Sequence, residues 1–425
     1  MRKALEYYLA YADESASPGF WVGAGAEASF GFATGSPVAR EDFVAVMTVR
    51  DPAAGELLSP RTKNLIRRDR RPGFDVVFRM ERSAALAFVA CPEARSAIRA
   101  AHEEGIRQAV SYFEQELLVA KSVRDALGRP MATSGLAAAG FHHYANRSGD
   151  PDLHTHLIVA NLVRRADGTW ATFAAGKLMG AASTLSAIYH MVFFAEVERV
   201  FGAQIRRDPI TGYRRLRAVS NGAIEEFLSR THEVDAYIEE MGWPDTEVAR
   251  QQAVLATRRS KAQAELLADE RSWKERMAAV GVTRQAMREA LNLDATNPAP
   301  AVMSPAELAE AEARIVARLA STNRTHLYRE QVVREWAREL EGVSEIGPLL
   351  ALVDHTMDER RALICRYAAD RDGTALYATP SLDELRRLLG DHAVAEAHAA
   401  DSATPHGAAV DPGVRPTAEA PISAP

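Results

Sequence analysis

The sequence predicts an α+β protein, an antiparallel sheet with flanking helices followed by a mainly helical C-terminal region. Three observations carry that expectation. Two apolar runs, Leu136-Ala137-Ala138-Ala139-Gly140-Phe141 and Leu157-Ile158-Val159-Ala160-Asn161-Leu162-Val163, lie either side of a turn-rich segment, residues 146–152, and read as the arms of one hairpin. Gly73-Phe74-Asp75-Val76-Val77-Phe78 is a further run of strand composition. After the hairpin, helical periodicity dominates at about 179–202, 221–242 and 246–280, with Gly202 and Gly242 where helix C-caps belong.

The chain opens with a short amphipathic helix around Tyr7 and Tyr8 and passes into a glycine-rich stretch, Gly19 to Glu27. Gly23, Gly25 and Ala28 superficially fit a dinucleotide fingerprint, but no strand precedes them, so they read as turn glycines. In the strand at 73–78, Asp75 is the odd polar member, and a carboxylate on a buried face needs a partner. A helical stretch from about Cys91 to Val119 leads into the hairpin. Beyond it, Asp167-Gly168 marks a turn and Trp170 to Phe173 a short strand. Asn297-Pro298-Ala299-Pro300 interrupts the helices, and Ser304-Pro305-Ala306-Glu307 starts the next one with capping-box spacing. From Asp401 onward, prolines without aromatic residues predict a disordered tail. The expected organisation is a first domain over 1–282, a linker at 283–303, a helical region at 304–398 and a tail at 399–425.

A net charge of −6 argues against a basic nucleic-acid coat protein. The average hides one basic run, Arg61, Lys63, Arg67, Arg68, Arg70 and Arg71, opposed only by Asp69, which serves either as a solvated loop or as a phosphate contact. Cys91 and Cys365 are too far apart in sequence to suggest a thiolate site, which fits a reducing compartment. No apolar run approaches membrane-spanning length and the N-terminus lacks a secretory pattern, so a soluble, cytoplasmic protein without membrane insertion is expected.

The hairpin carries the chemistry. His154 and His156 alternate on one strand and therefore share a face. With the turn centred near Ser148 and Gly149, His143 lies opposite His154 and His142 points the other way, as a packing or surface residue. Three imidazoles then converge on one face, a donor set for a divalent ion with positions left open for substrate oxygen. Imidazole suits zinc, nickel or manganese, while cellular phosphate chemistry often uses magnesium, so the identity stays open among Mg, Mn and Zn. A cupin-type small-molecule enzyme would want a glutamate just beyond the pair, but positions 159 to 161 are Val, Ala and Asn. Asp75 could hold a ligand imidazole by its second nitrogen or take a proton. Tyr7 and Tyr8 offer phenols, competent nucleophiles towards phosphorus once the phosphate is neutralised.

Tyr7-Tyr8, Trp21-Val22-Gly23-Ala24-Gly25-Ala26, Phe74-Asp75 and Asp150-Pro151-Asp152-Leu153-His154-Thr155-His156 occur in this order. The combination resembles the relaxase domain of the F-plasmid class of conjugative relaxases, the MobF group of the HUH endonucleases. The similarity extends through Ile224 to Arg230 and the basic segment Thr257-Arg258-Arg259-Ser260-Lys261, over roughly residues 1–282. It implies the HUH relaxase fold and a bacterial enzyme that nicks single-stranded origin-of-transfer DNA by tyrosine transesterification. Tyr7 would attack the scissile phosphate and become joined to the 5′ phosphate, with Tyr8 as the fallback nucleophile. His143, His154 and His156 would hold the metal, and Asp75 would orient a histidine or assist deprotonation. Arg147, Lys261, Arg67 and Arg68 are the expected DNA contacts. Implied partners are origin DNA, a type IV secretion coupling protein and accessory relaxosome proteins.

The sequence departs from the family in several places. It begins six residues ahead of Tyr7, where members usually have a strand, and of a second tyrosine pair only Tyr11 remains. After Asp75 the family's Ser-Ala-Pro-Lys-Ser is replaced by Arg79-Met80-Glu81-Arg82-Ser83. Residues 304–398 resemble the start of a helicase, yet no Gly-x-x-x-x-Gly-Lys-Ser/Thr loop occurs, so ATP-driven unwinding is not expected of this polypeptide. The competing readings are a degenerate relaxase that binds DNA without cutting it and a rolling-circle replication initiator.

Overall fold

A computed structural model describes residues 5–10, 18–58, 71–120, 131–208, 212–259, 269–293, 302–322, 327–358, 363–369, 375–379 and 414–416. Its centre is an antiparallel sheet. Phe20–Val22 (β1), Gly73–Arg79 (β2), Ala138–Ala145 (β3) and Pro151–Ala160 (β4) stand in the order β1-β3-β4-β2, and Val414–Pro416 pairs beyond β2. The expected hairpin is β3 and β4, with His143 paired to His154, and β2 lies on the other side of β4 with Asp75 opposite Ile158 and Arg79 opposite His154. Side chains alternate across these strands, so the register sorts them into two faces.

One face is the main core. Phe20, Val22, Phe74, Val76, Phe78, Ala138, Leu153, Leu157 and Val159 are buried there together with residues of two long helices, Arg95–Tyr112 and Ala182–Phe201. These helices approach closely because Gly105 presents no side chain; a Cβ there would come within 2.7 Å of the Tyr189 ring. Gly202 ends the second helix in the left-handed conformation, as its position predicts.

The other face carries a smaller core. Trp21, Phe43, Ala137, Ala139, Phe141, Ile158 and Ala160 pack there with Tyr8, which comes from a helical turn at residues 5–10. Helix Ala24–Phe30 begins at Gly23, whose φ of 101° suits glycine, and a Cβ on Gly25 would lie 2.4 Å from the Gly135 carbonyl oxygen. The glycines of this segment are therefore turn and close-approach residues. The Glu114 carboxylate accepts from the Ala24 and Leu136 amides at 2.9 and 2.6 Å and ties the segment to the entry of β3.

Several element boundaries differ from the sequence reading. The stretch 221–242 is two helices, Asn221–Glu225 and Ser229–Glu240, and 246–280 contains Glu247–Ala256 and Glu270–Ala279. The interval expected as a linker contains a helix, Arg284–Ala290, with Met287 and Leu291 buried in the main core. Helix Pro305–Ser321 has the predicted capping box at Ser304 and Glu307. It is followed by Arg329–Glu339 and Ile346–Thr356, and then by an antiparallel pair, Cys365–Ala369 with Ala375–Ala378, where only helix was expected. Ile315, Val332, Trp336 and Leu349 join the same core that covers the sheet. Of the expected tail, the described residues 414–416 extend the sheet. Among the described residues no helix is long and apolar enough to cross a membrane.

Candidate metal centre

The alternation that builds the two cores also assembles the site. On the face of the smaller core stand His143 of β3, Asp152, His154 and His156 of β4, and Gly73, Asp75, Val77 and Arg79 of β2. The three histidine rings lie 5.2 to 5.5 Å apart, centroid to centroid, in every pairing. Metal–nitrogen bonds of about 2.0–2.1 Å place rings on a shared tetrahedral ion roughly 5 Å apart, so the set fits a single cation. Among the described residues no group of three or more His, Cys, Asp or Glu side chains is already arranged to hold a metal ion.

The hydrogen bonds prepare those rings as ligands. The Asp75 carboxylate, 3% exposed, lies 2.9 Å from His156 Nδ1 through both oxygens and accepts its proton, which turns the Nε2 lone pair outward. His154 Nδ1 donates to the Asp152 carbonyl oxygen at 2.8 Å, with the same consequence. Burial, reinforced by the His156 and Arg79 charges, lowers the His154 pKa to about 4 against an opposing pull from Asp152. At neutral pH that ring is therefore uncharged, the form in which an imidazole can ligate a metal. The carboxylate of Asp152 forms an ion pair with Arg79, Nε to Oδ2 3.2 Å. Burial alone would raise its pKa, but Arg79 and Arg82 bring it below the ordinary value.

Behind the strand the sequence reading missed a buried polar chain. Tyr189 OH lies 2.6 Å from His102 Nδ1, His102 Nε2 2.7 Å from Thr155 Oγ1, Thr155 Oγ1 2.8 Å from His142 Nδ1, and His142 Nε2 3.0 Å from Glu103. One donor order satisfies every member with neutral rings, each group donating to the next until His142 donates to the Glu103 carboxylate. Burial, with the neighbouring histidines, drives the His102 pKa well below its ordinary value, which agrees. Thr155, the residue between His154 and His156, is the link. His142 is a packing residue, as its parity predicts. His102 and Tyr189 come from distant helices, so sequence carried no signal for this chain beyond the polar Thr155 in an apolar strand.

The hairpin tip is anchored as well. The buried Asp150 carboxylate accepts from Ser229 N and Oγ at 3.0 and 2.8 Å, and Trp273 Nε1 donates to the Gly149 carbonyl at 2.6 Å. Arg147 donates to the Arg259 carbonyl at 3.1 Å, so it reaches towards the basic segment that holds Lys261. Lys261, Arg67, Arg68 and Tyr11 lie outside the described residues.

Tyr7 and Tyr8 are brought to the histidine face. Their rings pack edge to face at 5.6 Å against the smaller core. Tyr8 is 4% exposed and its hydroxyl donates to the Gly73 carbonyl at 2.7 Å. Burial, then the Asp75 charge, raises its pKa, so Tyr8 is held as a neutral phenol near Asp75. Tyr7 is half-buried. The expectation of Tyr8 as an alternative nucleophile meets an obstacle here: its oxygen is already committed to anchoring the N-terminal helix. The segment that departs from the family has a local role too, since Glu81 N-caps the helix Arg82–Ala90 by accepting from Ser83 N at 2.7 Å.

Comparison with known proteins agrees with this architecture. The TrwC relaxase family profile matches residues 1–280. Two Escherichia coli proteins named multifunctional conjugation protein TraI are similar, one 23% identical over 326 residues, the other, from strain K12, 24% identical over 274. The matches cover 74% and 62% of this chain but 18% and 15% of those proteins, so the chain corresponds to under a fifth of their length. Two structures of conjugative relaxase TrwC in complex with OriT DNA, one metal-free and one metal-bound, share the fold with a TM-score of 0.56 at 23% and 22% identity. Each match covers 66% of this chain and 96% of the chain in that structure. The chain belongs to the TrwC relaxase family, the TrwC/TraI-like group of conjugative relaxases.

Proposed function

We propose that the protein nicks single-stranded origin-of-transfer DNA by transesterification, with the Tyr7 phenol as nucleophile and a divalent ion held by His143, His154 and His156. The observation that supports it is the sharing of one sheet face by three histidine rings, the Asp75 carboxylate and the N-terminal tyrosine helix. The relatives supply the substrate class, since TrwC was solved with OriT DNA.

The ion, when bound, would draw electron density from a non-bridging phosphate oxygen. The chain does the rest. Asp75 keeps His156 in the tautomer that offers Nε2, and Tyr8, hydrogen-bonded to Gly73, anchors the helix that carries Tyr7. Loss of the Tyr7 proton to a base or to water yields the phenolate. Its oxygen bonds to phosphorus as the bond to the 3′ oxygen breaks, and that oxygen takes up a proton. The number of phosphoester bonds is unchanged, so the step runs in reverse when a 3′ hydroxyl returns.

The test is a labelled single-stranded origin oligonucleotide incubated with protein and a divalent ion, then run on a denaturing gel. A covalent adduct that disappears in Tyr7→Phe and on chelation is the expected result. An adduct that persists in Tyr7→Phe moves the nucleophile to Tyr8 or Tyr11. DNA binding with no adduct under any metal would instead identify a relaxase-like protein that binds without cutting.

A further inference from the structure

Arg79 stands on the histidine face with no role in the reading so far. It is paired directly with His154 across β2 and β4, and residues directly opposite on neighbouring strands have Cβ atoms about 5 Å apart, so its side chain shares the histidine face. Asp152, on the same face and 3% exposed, forms an ion pair with its guanidinium, Oδ2 to Nε 3.2 Å, outside hydrogen-bond geometry. One third of the Arg79 side chain nevertheless remains exposed. Asp152 is itself fixed, because its main chain accepts from His154 and the neighbouring Pro151 carbonyl accepts from Arg82 at 2.6 Å.

A permanent positive charge beside a cation site is unfavourable unless an anion sits between them. Asp152 pairs with that charge from the Nε edge, and one third of the side chain stays exposed. Guanidinium groups recognise phosphate through two parallel donors, which is the geometry a strand-mounted, carboxylate-steered arginine is prepared to offer. We propose that Arg79 is a further phosphate-binding residue, which clamps a non-bridging oxygen of the DNA phosphodiester held at the histidine face. Asp152 is its positioning residue. This rests on the proposed metal centre and extends it.

The dinucleotide dTpdT, with one phosphodiester and no origin sequence, is the probe. Mn2+ is titrated into the full chain first, and the paramagnetic effect of the bound ion on dTpdT phosphorus relaxation then reports diester binding. Expected is Mn2+ affinity in Arg79→Gln no weaker than in wild type, with dTpdT nevertheless bound about tenfold more weakly by the variant, as loss of a charge-assisted contact implies. Arg79→Lys should recover part of the loss, and millimolar guanidinium should restore binding to Arg79→Ala, which a merely structural arginine would not permit. Mn2+ binding with unchanged dTpdT affinity in Arg79→Gln overturns the assignment of Arg79 alone. Failure of the wild type to bind Mn2+ overturns the metal centre, and the assignment of Arg79 with it.

Discussion

Tyr7 and Tyr8 are neighbours in sequence, yet the fold separates their roles by one helical step. Tyr8 donates to Gly73 from a buried position, so Tyr8→Phe should cost about 1 kcal/mol of stability, read as a lower urea midpoint, while adduct formation at Tyr7 persists. Asp75 makes the opposite kind of contribution. Asp75→Asn keeps the shape but replaces the anion that fixes the His156 tautomer, and metal affinity should fall about 10- to 100-fold by calorimetric titration. An unchanged affinity would mean that His156 is oriented by packing. The need for a partner at Asp75 was legible from one polar residue in an apolar strand. Its identity was not, because 81 residues separate it from His156.

At the scale of elements, β4 does two jobs. Its even-numbered residues share the face of His143 and Asp75, and Thr155 points into the main core, where it accepts from His102 and donates to His142. Thr155→Val preserves volume and strand propensity but strands two buried imidazole nitrogens. A loss of about 1–3 kcal/mol follows, with reduced metal affinity as a secondary effect if β4 shifts. Thermal melts of the metal-free and metal-loaded protein separate the two. The hairpin and its register were readable because the turn residues 146–152 and the apolar arms admit few pairings. The breaks inside the predicted long helices were not, since residues such as Leu228 continue the apolar pattern across a helix boundary that packing sets.

Over the whole molecule, stability should depend on pH through rings held neutral by burial. The pKa values of His102 and His154 are depressed in the folded state, so protons bind the unfolded chain first as pH falls. Their contribution is therefore intact above about pH 6.5. It is lost as pH falls towards the folded value, about 4 for His154. Urea midpoints of metal-free protein should drop between pH 7.5 and 5, less steeply in a His102→Gln variant; a flat profile would refute neutral burial. The same scale decides domain organisation. Met287, Leu291, Ile315 and Trp336 share the main core with the sheet, so a 1–282 fragment should melt at a lower temperature than the full chain. Equal melting temperatures would mark the later helices as an independent unit.

The amino-acid sequence by itself determined the hairpin, the face shared by His143, His154 and His156, the opposite orientation of His142 and the family. Those features depend on local alternation and turn chemistry, which a linear pattern records. Only the tertiary structure decided which carboxylate meets His156, that the Tyr8 hydroxyl is bonded to Gly73, that Arg79 stands opposite His154 and that the C-terminal helices close the main core. Each of these depends on contacts between residues far apart along the chain, where burial and strand order, not periodicity, select the partner.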